Sequence, residues 1–228
     1  KIIGQVGGNM TMETTNKIGL NGIEFVEFCS PTPDVLHSLF TKLGFSKVFK
    51  HKSKKIDLYR QGDITFLINK ENGNFSESFQ NKHGPCISSM AWRVQDADHA
   101  WNLAQERGAK PSHDGDYEKH SHPLKSLWGI GDSLIYLVDE DPKSLYESIG
   151  FEPIKDPELV ENIGFELIDH LTNNVFPGTM ETWSNFYRNV FEFTEVRYFD
   201  IRGVKTGLTS YALRSPCGKF CIPINEGT

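Results

Sequence analysis

The stretch that decides the fold is Gly164-Phe-Glu-Leu-Ile-Asp-His-Leu171, because an earlier part of the chain resembles it. The earlier copy reads Gly22-Ile-Glu-Phe-Val-Glu-Phe-Cys29, and most aligned positions keep their residue size or charge. The aligned pair that changes class is Phe28 against His170. The repeat suggests a duplicated unit in which the second copy alone carries an imidazole.

Two further matches support the duplication. Phe45-Ser-Lys-Val48 aligns with Phe193-Thr-Glu-Val196, and Gly62-Asp-Ile-Thr-Phe-Leu-Ile-Asn69 aligns with Gly218-Lys-Phe-Cys-Ile-Pro-Ile-Asn225. Any one match could arise by chance, but all of them follow the same order along the chain. The sequence therefore predicts an internal duplication.

Each unit is predicted to be β-α-β-β-β. In the first, a strand over 22–30 is followed by a helix that Thr32 caps, with Pro33 at its first position, and that Gly44 ends. Turn residues then separate three predicted strands, over 45–49, 56–60 and 64–69. A similar strand, helix and strands are predicted between 86 and 139.

These units give the predicted domain organisation of an α+β protein. Residues 1–20 are predicted to be a tail, and 21–139 a domain of two units. Residues 140–162, which carry Asp-Pro and Glu-Pro steps, are predicted to be a connector. Residues 163–228 hold one unit, which corresponds to the first half of a second, truncated domain.

Charge and composition exclude several classes of function. The net charge is −6, and no basic stripe is present, so nucleic acid is not the expected partner. No apolar run reaches the length of about 18 residues that a membrane span needs, which predicts no membrane insertion. The four cysteines form no Cys-x-x-Cys pair, and the first 20 residues lack an apolar signal core. A reduced, cytoplasmic setting is predicted, with Cys29 and Cys221 as small buried hydrophobic residues.

His170, and separately a set of three histidines, are candidates for metal binding. On a strand, His170 shares one face with Glu166 and Ile168. A neutral imidazole facing a half-apolar interior suits iron or zinc, although a buried histidine that only hydrogen-bonds to the protein remains the alternative. His113, His120 and His122 lie in a polar segment, where an exposed loop is favoured over a three-histidine site.

A set of short motifs resembles one family over nearly all of the chain from residue 21 onward. The fold they imply is that of the vicinal oxygen chelate superfamily, in which tandem β-α-β-β-β modules form glyoxalase- and dioxygenase-like half-barrels. Within it the chain resembles the 4-hydroxyphenylpyruvate dioxygenase family, and the motifs are Gly22-Ile-Glu-Phe-Val-Glu-Phe28, Leu58-Tyr-Arg-Gln-Gly62, Ile168-Asp-His-Leu-Thr172, Tyr198-Phe-Asp-Ile201, Thr206-Gly-Leu-Thr-Ser210 and Pro223-Ile-Asn-Glu226.

The resemblance implies an Fe(II)-dependent dioxygenase of tyrosine and phenylalanine catabolism. It would convert 4-hydroxyphenylpyruvate and O₂ to homogentisate and CO₂, and a homo-oligomer is expected. His170 matches the first of three iron ligands, two histidines and one glutamate. Ser210, Pro223 and Asn225 match residues of the substrate pocket. Without the family, Ser210 is an ordinary strand serine, Asn225 a strand-end residue, and Pro223 the mark of an edge strand.

The chain departs from the family pattern in one important way. The second histidine and the glutamate of the family lie in the second module of the second domain, which these 228 residues do not reach. These 228 residues alone are therefore expected to be inactive. One alternative is 4-hydroxymandelate synthase, which has an apolar residue at the position of Ser210. A non-catalytic binding module with the same fold is the other alternative.

Overall fold

The computed structural model describes residues 15–202 and 207–227, which form an α+β structure with two main β-sheets. The first unit follows the predicted order closely. Pro33 is the first residue of the helix, but Thr32 before it makes no capping hydrogen bond with its side chain, contrary to the prediction. Gly44 follows the helix at φ +82°, a backbone conformation that favours glycine. Its elements are β1 (Leu20–Cys29), α1 (Pro33–Lys42), β2 (Ser46–His51), β3 (Ile56–Gln61) and β4 (Ile64–Asn69).

The second unit adds an extra helix and a small hairpin to the predicted pattern. Its elements are α2 (Phe75–His83), β5 (Cys86–Val94), α3 (Ala97–Glu106), β6 (Pro111–Ser112), β7 (Glu118–Lys119), β8 (His122–Pro123), β9 (Ser126–Trp128), a 3₁₀ turn (Ile130–Asp132) and β10 (Leu134–Val138). The first strands of the two units, β1 and β5, pair antiparallel at the centre of a nine-stranded sheet.

The predicted connector over 140–162 begins with ordered structure that belongs to the first sheet. It contains α4 (Pro142–Ser148) and β11 (Phe151–Pro153), and β11 pairs antiparallel with β2. From α4, Tyr146 donates a hydrogen bond of 2.7 Å to the Glu24 carboxylate on β1. The prediction that the first domain's structure ends at residue 139 was therefore wrong, because an Asp-Pro step that reads as a linker also begins a short helix.

The nine-stranded sheet curls into a half-barrel. Phe151 on the edge strand β11 lies 6.2 Å from the ring of Tyr117, which lies 5.6 Å from that of Tyr136 on β10. Side chains from both ends of the sheet can meet in this way only if its inner face is concave. This interior is filled by a buried cluster of Phe25, Ile56, Leu58, Leu67, Ala91, Tyr117, Leu124, Leu134, Tyr136, Val138, Leu145, Tyr146, Ile149 and Phe151.

The second sheet has four strands in the order β12-β15-β14-β13. Helix α5 occupies the place that the predicted β-α-β-β-β unit gives it. The elements are β12 (Asn173–Val175), α5 (Met180–Phe191), β13 (Thr194–Arg202), β14 (Gly207–Arg214) and β15 (Cys221–Gly227).

Both halves of the structure contribute to one hydrophobic core. Trp92, on the outer face of β5, is fully buried and contacts the rings of Tyr187, Phe191, Phe193 and Phe220. Aromatic burial of this kind contributes strongly to the stability of a core. Helix α5 therefore packs between its own sheet and the outside of the first sheet.

The predicted strand over 164–171 is largely absent, and this is a correction to the sequence analysis. Within it, only His170 forms a bridge, to Cys221, and the regular strand starts at Asn173. Backbone groups near this segment form hydrogen bonds with the first half instead. The side chain of Gln61 accepts a hydrogen bond from the amide of Ile163 at 2.9 Å. Likewise the amide of Asp63 donates to the carbonyl of Glu166 at 2.9 Å.

The predicted tail is also shorter than expected. Ile18 is fully buried, and its amide donates to the Glu192 carboxylate at 2.9 Å. Residues 18–20 are buried and therefore belong to the core rather than to a tail. Residues 1–14 and Thr206, the first residue of a family motif, lie outside the described residues. In the described part of the chain, no helix is both long and apolar enough to cross a membrane.

Candidate functional site

The four candidate site residues lie on one face of the second sheet. Asn225 on β15 is opposite Ser210 on β14, and the bridge between His170 and Cys221 continues the parallel pairing of β12 with β15. Side chains two residues apart on a strand share a face, so Cys221, Pro223 and Asn225 point to the same side. The register therefore places His170, Ser210, Pro223 and Asn225 on a single face.

The opposite face of this sheet is buried in the shared core. Leu213, Ile222 and Ile224 are fully buried there. The alternation of apolar and polar residues along β15 thus fixes which side packs and which side carries the candidate site. We call the side that carries His170, Ser210, Pro223 and Asn225 the open face.

Pro223 lies in an interior strand rather than at an edge. The amide of Cys221 donates to Asp169 at 2.9 Å, and the amide of Leu171 donates to Cys221 at 3.1 Å. Backbone groups two residues apart point the same way, so the nitrogen of Pro223 faces the segment that precedes β12. Proline has no N–H to donate. Its position therefore interrupts the pairing just before β12 begins.

His170 is exposed, and the expectation of a buried imidazole was wrong. Its side chain is 55% accessible, because no described segment covers the open face at this point. Its Nδ1 lies 2.8 Å from Oδ2 of Asp169. A carboxylate that holds one ring nitrogen commonly orients a metal-binding histidine and leaves Nε2 to coordinate. The local geometry of His170 fits one ligand position.

The described residues do not complete an iron site. Over 15–202 and 207–227, no group of three or more His, Cys, Asp or Glu side chains is arranged to hold a metal ion. His113, His120 and His122 are exposed, in agreement with the loop interpretation. A facial arrangement needs three protein ligands, so these residues alone do not fit iron and no reaction step can be assigned to it here.

The polar residues of the open face lie close to one another along one row. Ser210 is 8% exposed, and Asn225 is half-buried. The amide nitrogen of Asn225 lies 3.4 Å from Oδ1 of Asn174, its neighbour on β12. A hydroxyl and a carboxamide can together donate to and accept from a polar ligand. Pro223, one step further along β15, is half-buried and supplies an apolar surface.

Sequence analysis missed a buried polar network inside the first half-barrel. The Glu27 carboxylate is fully buried and accepts hydrogen bonds from five side chains. Burial raises the pKa of Glu27, and the nearby carboxylate of Asp116 raises it further. A glutamate between the apolar residues Val26 and Phe28 was the available signal. The donors are Asn69, Ser76, Ser88, Ser89 and Tyr117.

The position equivalent to His170 in the first half also differs from the sequence alignment. Aligning Gly62–Asn69 with Gly218–Asn225 puts Thr65 at the position of Cys221. On β1, Val26 pairs with Phe66, so Phe25 is level with Thr65. Phe25, rather than Phe28, therefore takes the place of His170. It packs against the rings of Tyr117, Tyr136 and Tyr146.

A half-barrel assembled from β-α-β-β-β units around a central antiparallel strand pair defines the chain as a protein of the vicinal oxygen chelate type. Residues 14–152 match the family described as hydroxyphenylpyruvate dioxygenase, N-terminal. The chain belongs to the 4-hydroxyphenylpyruvate dioxygenase family.

Individual relatives agree with this assignment. The chain is 55% identical over 214 residues to protein MelA of Shewanella colwelliana, covering 93% of this chain and 61% of that protein. It is 41% identical over 222 residues to the 4-hydroxyphenylpyruvate dioxygenase of Pseudomonas sp. (strain P.J. 874), covering 92% of this chain and 59% of the relative. The chain thus spans about three fifths of the length of these relatives.

A solved structure confirms the fold. It is a xylose isomerase-like TIM barrel/4-hydroxyphenylpyruvate dioxygenase fusion protein, and it superimposes with a TM-score of 0.77 at 28% identity. The match covers 97% of this chain and 34% of that protein. The architecture deduced from the repeats is therefore that of a known dioxygenase fold.

Proposed function

We propose that the protein to which this chain belongs is an Fe(II)-dependent dioxygenase that converts 4-hydroxyphenylpyruvate and O₂ to homogentisate and CO₂. The observation that carries the proposal is the placement of His170, held by Asp169, on the same face as Ser210 and Asn225. Family membership supports it, since the relative from Pseudomonas carries this activity in its name.

Each residue of the open face has a part in this proposal. His170 offers Nε2 as one iron ligand, and Asp169 holds the ring in the orientation that exposes it. Ser210 and Asn225 offer hydrogen bonds to the polar groups of the substrate, and Pro223 forms part of the wall. Bound Fe(II) supplies the activation of O₂. The other two ligands come, in this proposal, from residues outside those described.

The test uses the complete protein that contains this chain. Replacing His170 by alanine removes one of three protein ligands, so we expect loss of bound iron and of homogentisate formation. His120→Ala is the matched control, because His120 is also exposed and lies in the hairpin of the first half. Iron is measured by elemental analysis after gel filtration. Unchanged iron content in the His170→Ala protein would remove this residue from the site.

The same assay separates the proposal from its alternatives. A 4-hydroxymandelate synthase would give 4-hydroxymandelate from the same substrate, and a non-catalytic module would give no product while still binding it. Product identity by mass spectrometry therefore distinguishes all three. Homogentisate as the main product supports the dioxygenase, and either of the other outcomes overturns it.

A further inference from the structure

Two cysteines meet where β1 ends and β5 begins. Cys29 and Cys86 are directly opposite each other in the antiparallel pairing of these strands. Their sulfur atoms lie 3.7 Å apart, and the Cys29 sulfur is also 3.5 Å from the backbone carbonyl of Cys86. Neither residue is on the open face, so the proposed function does not use them.

The backbone geometry at this pair suits a disulfide. Opposite residues of an antiparallel pair have Cα atoms about 4.5–5.5 Å apart, within the range of about 4.4–6.8 Å that disulfides occupy. Closing the bond to the usual length of about 2.05 Å needs side-chain movement rather than strand separation. A register shift between Glu27 and Phe28 lies beside the pair, so the regular strand pairing is already interrupted there.

The two thiols differ in their access to solvent. Cys29 is 1% exposed, whereas Cys86 is half-buried. Cys86 also lines a cavity of about 800 Å³, together with His83, Ser89 and the segment from Leu171 to Phe176. A small oxidant can therefore reach Cys86 first, and Cys29 is the nearest thiol that can react next.

The pKa shifts of the two thiols also favour reaction of Cys86 before Cys29. The hydrogen bond with Cys29 lowers the pKa of Cys86, which increases its thiolate fraction. That same contact and burial raise the pKa of Cys29. The thiolate is the reactive form of cysteine, so Cys86 is the residue suited to the first attack.

We propose that Cys29 and Cys86 form a reversible disulfide when the protein meets a hydroperoxide. In the first step, the Cys86 thiolate attacks the peroxide, the O–O bond breaks, and a sulfenic acid and hydroxide (or an alkoxide) are formed. In the second step, the Cys29 sulfur attacks the sulfenic acid, and water leaves with the Cys29 proton. The peroxide is reduced by two electrons, and the two thiols are oxidised by two.

The other two cysteines lack this arrangement. Cys217 has its sulfur 3.3 Å from the hydroxyl of Ser215, and Cys221 is opposite Arg214. Both are half-buried, like Cys86, so exposure alone does not separate them from it. They provide an internal control, because oxidation governed only by exposure would affect them as readily as Cys86.

The test is to reduce the 228-residue chain, remove the reductant and treat it with graded hydrogen peroxide. Remaining thiols are then alkylated, and the peptides are mapped by mass spectrometry without reduction. We expect a linked peptide pair of Cys29 with Cys86, lighter by two hydrogen atoms than the separate peptides. Dithiothreitol should restore both thiols. Cys217 and Cys221 should remain alkylated at peroxide doses that convert the pair.

Two variants separate the steps. In Cys29→Ser, Cys86 should accumulate as a sulfenic acid that a 1,3-dione reagent traps, because the resolving thiol is gone. In Cys217→Ser, the linked pair should form as in the unmodified chain. Alkylation of both Cys29 and Cys86 after peroxide, or a linked pair involving another cysteine instead, would overturn the proposal.

Discussion

At the scale of single residues, Glu27 is a fully buried carboxyl group that accepts hydrogen bonds from five side chains inside the first half-barrel. Its pKa is raised in the folded state, so folding favours its protonated form. The stability that this group contributes is fully present below its unfolded pKa and is lost as the pH rises toward the folded pKa. Asp116, whose pKa burial also raises, acts in the same direction.

Glu27→Gln should therefore flatten the dependence of stability on pH. We expect the free energy of unfolding of the unmodified chain to fall above about pH 4.5, by at most about 1.4 kcal/mol per pH unit for this proton. In the variant the slope should be smaller. Urea unfolding between pH 4.5 and 8 measures it, with exposed Glu158→Gln as the control. Equal slopes in the variant and the unmodified chain would contradict the expectation.

Ser210 and Asn225 give a second prediction at this scale. If they contact substrate, removing either polar group leaves its partner unsatisfied, which costs about 1–3 kcal/mol. In the complete protein, Ser210→Ala and Asn225→Ala should lower turnover or substrate affinity without changing the unfolding midpoint much. Thr209→Ala is the control, since Thr209 neighbours Ser210 but points to the other side of β14. Unchanged kinetics in both site variants would exclude them from the pocket.

His170 shows which features of the candidate site could be predicted from the sequence and which could not. The family resemblance grouped it with Ser210, Pro223 and Asn225, whereas their shared face follows from the register between strands that are distant in sequence. Its exposure could not be predicted, because the cover over a face comes from segments distant in sequence. Glu27 was missed for a similar reason, since its donors come from β4, α2, β5 and the loop at Tyr117.

At the scale of elements, local signals and the repeated unit predicted α1, α3, α5 and most strands, whereas α2 and α4 were missed. Thr32 and Pro33 predicted the start of α1, and turn residues bounded β3 and β4. The failures are at 140–162 and 164–171, where tertiary partners decide the structure. The hydrogen bond from Tyr146 to Glu24 holds α4 against the half-barrel. The side chain of Gln61 accepts a hydrogen bond from the backbone amide of Ile163. Such contacts leave no local periodicity to detect.

Gln61 gives the prediction for this scale. It is 4% exposed and accepts from the amide of Ile163, while its own amide group donates to the carbonyl of Leu43 at 2.7 Å. Gln61→Ala leaves these groups without their partner, at a cost of about 1–3 kcal/mol. We expect faster hydrogen exchange at the amides of Ile163 and Phe165 than in the unmodified chain.

The matched control for this change is Gln105→Ala, because the side-chain amide of Gln105 donates to the carbonyl of Trp101 within its own helix. Exchange over 160–168 should not change in that variant. If Gln61→Ala also leaves exchange there unchanged, the segment is held by other contacts, such as the stacking of Phe165 on Phe45.

At the scale of the whole molecule, the two halves of the described structure differ in how fully their faces are covered. The first half-barrel is filled by Phe25 and three tyrosines, whereas His170 on the second sheet is exposed. Several large apolar side chains between residues 159 and 176 are exposed as well: Leu159, Ile163, Phe165, Leu167 and Phe176. The shared core around Trp92 nevertheless joins the halves into one packed unit.

The last prediction follows from this difference, and it is that Lys1–Thr228 alone neither holds iron tightly nor turns over. His170 supplies one imidazole, and no described cluster adds the other ligands of a facial site. In the first half, Phe25 occupies the equivalent position and cannot coordinate a metal. A single exposed imidazole lacks the chelate that fixes both affinity and geometry, so iron should exchange freely with solvent.

The experiment is anaerobic reconstitution of the 228-residue chain with Fe(II), followed by gel filtration, iron analysis and an assay with 4-hydroxyphenylpyruvate and O₂. We expect iron far below one equivalent and no sustained homogentisate release. The His170→Ala chain should behave in the same way, because one ligand more or less changes little when the site is incomplete. Stoichiometric iron that this substitution abolishes would show that the chain completes the site with residues other than those described. The complete protein is assayed in parallel. Iron binding by the 228-residue chain would contradict the prediction that its site is incomplete, whereas the proposed reaction is tested by the product that the complete protein forms.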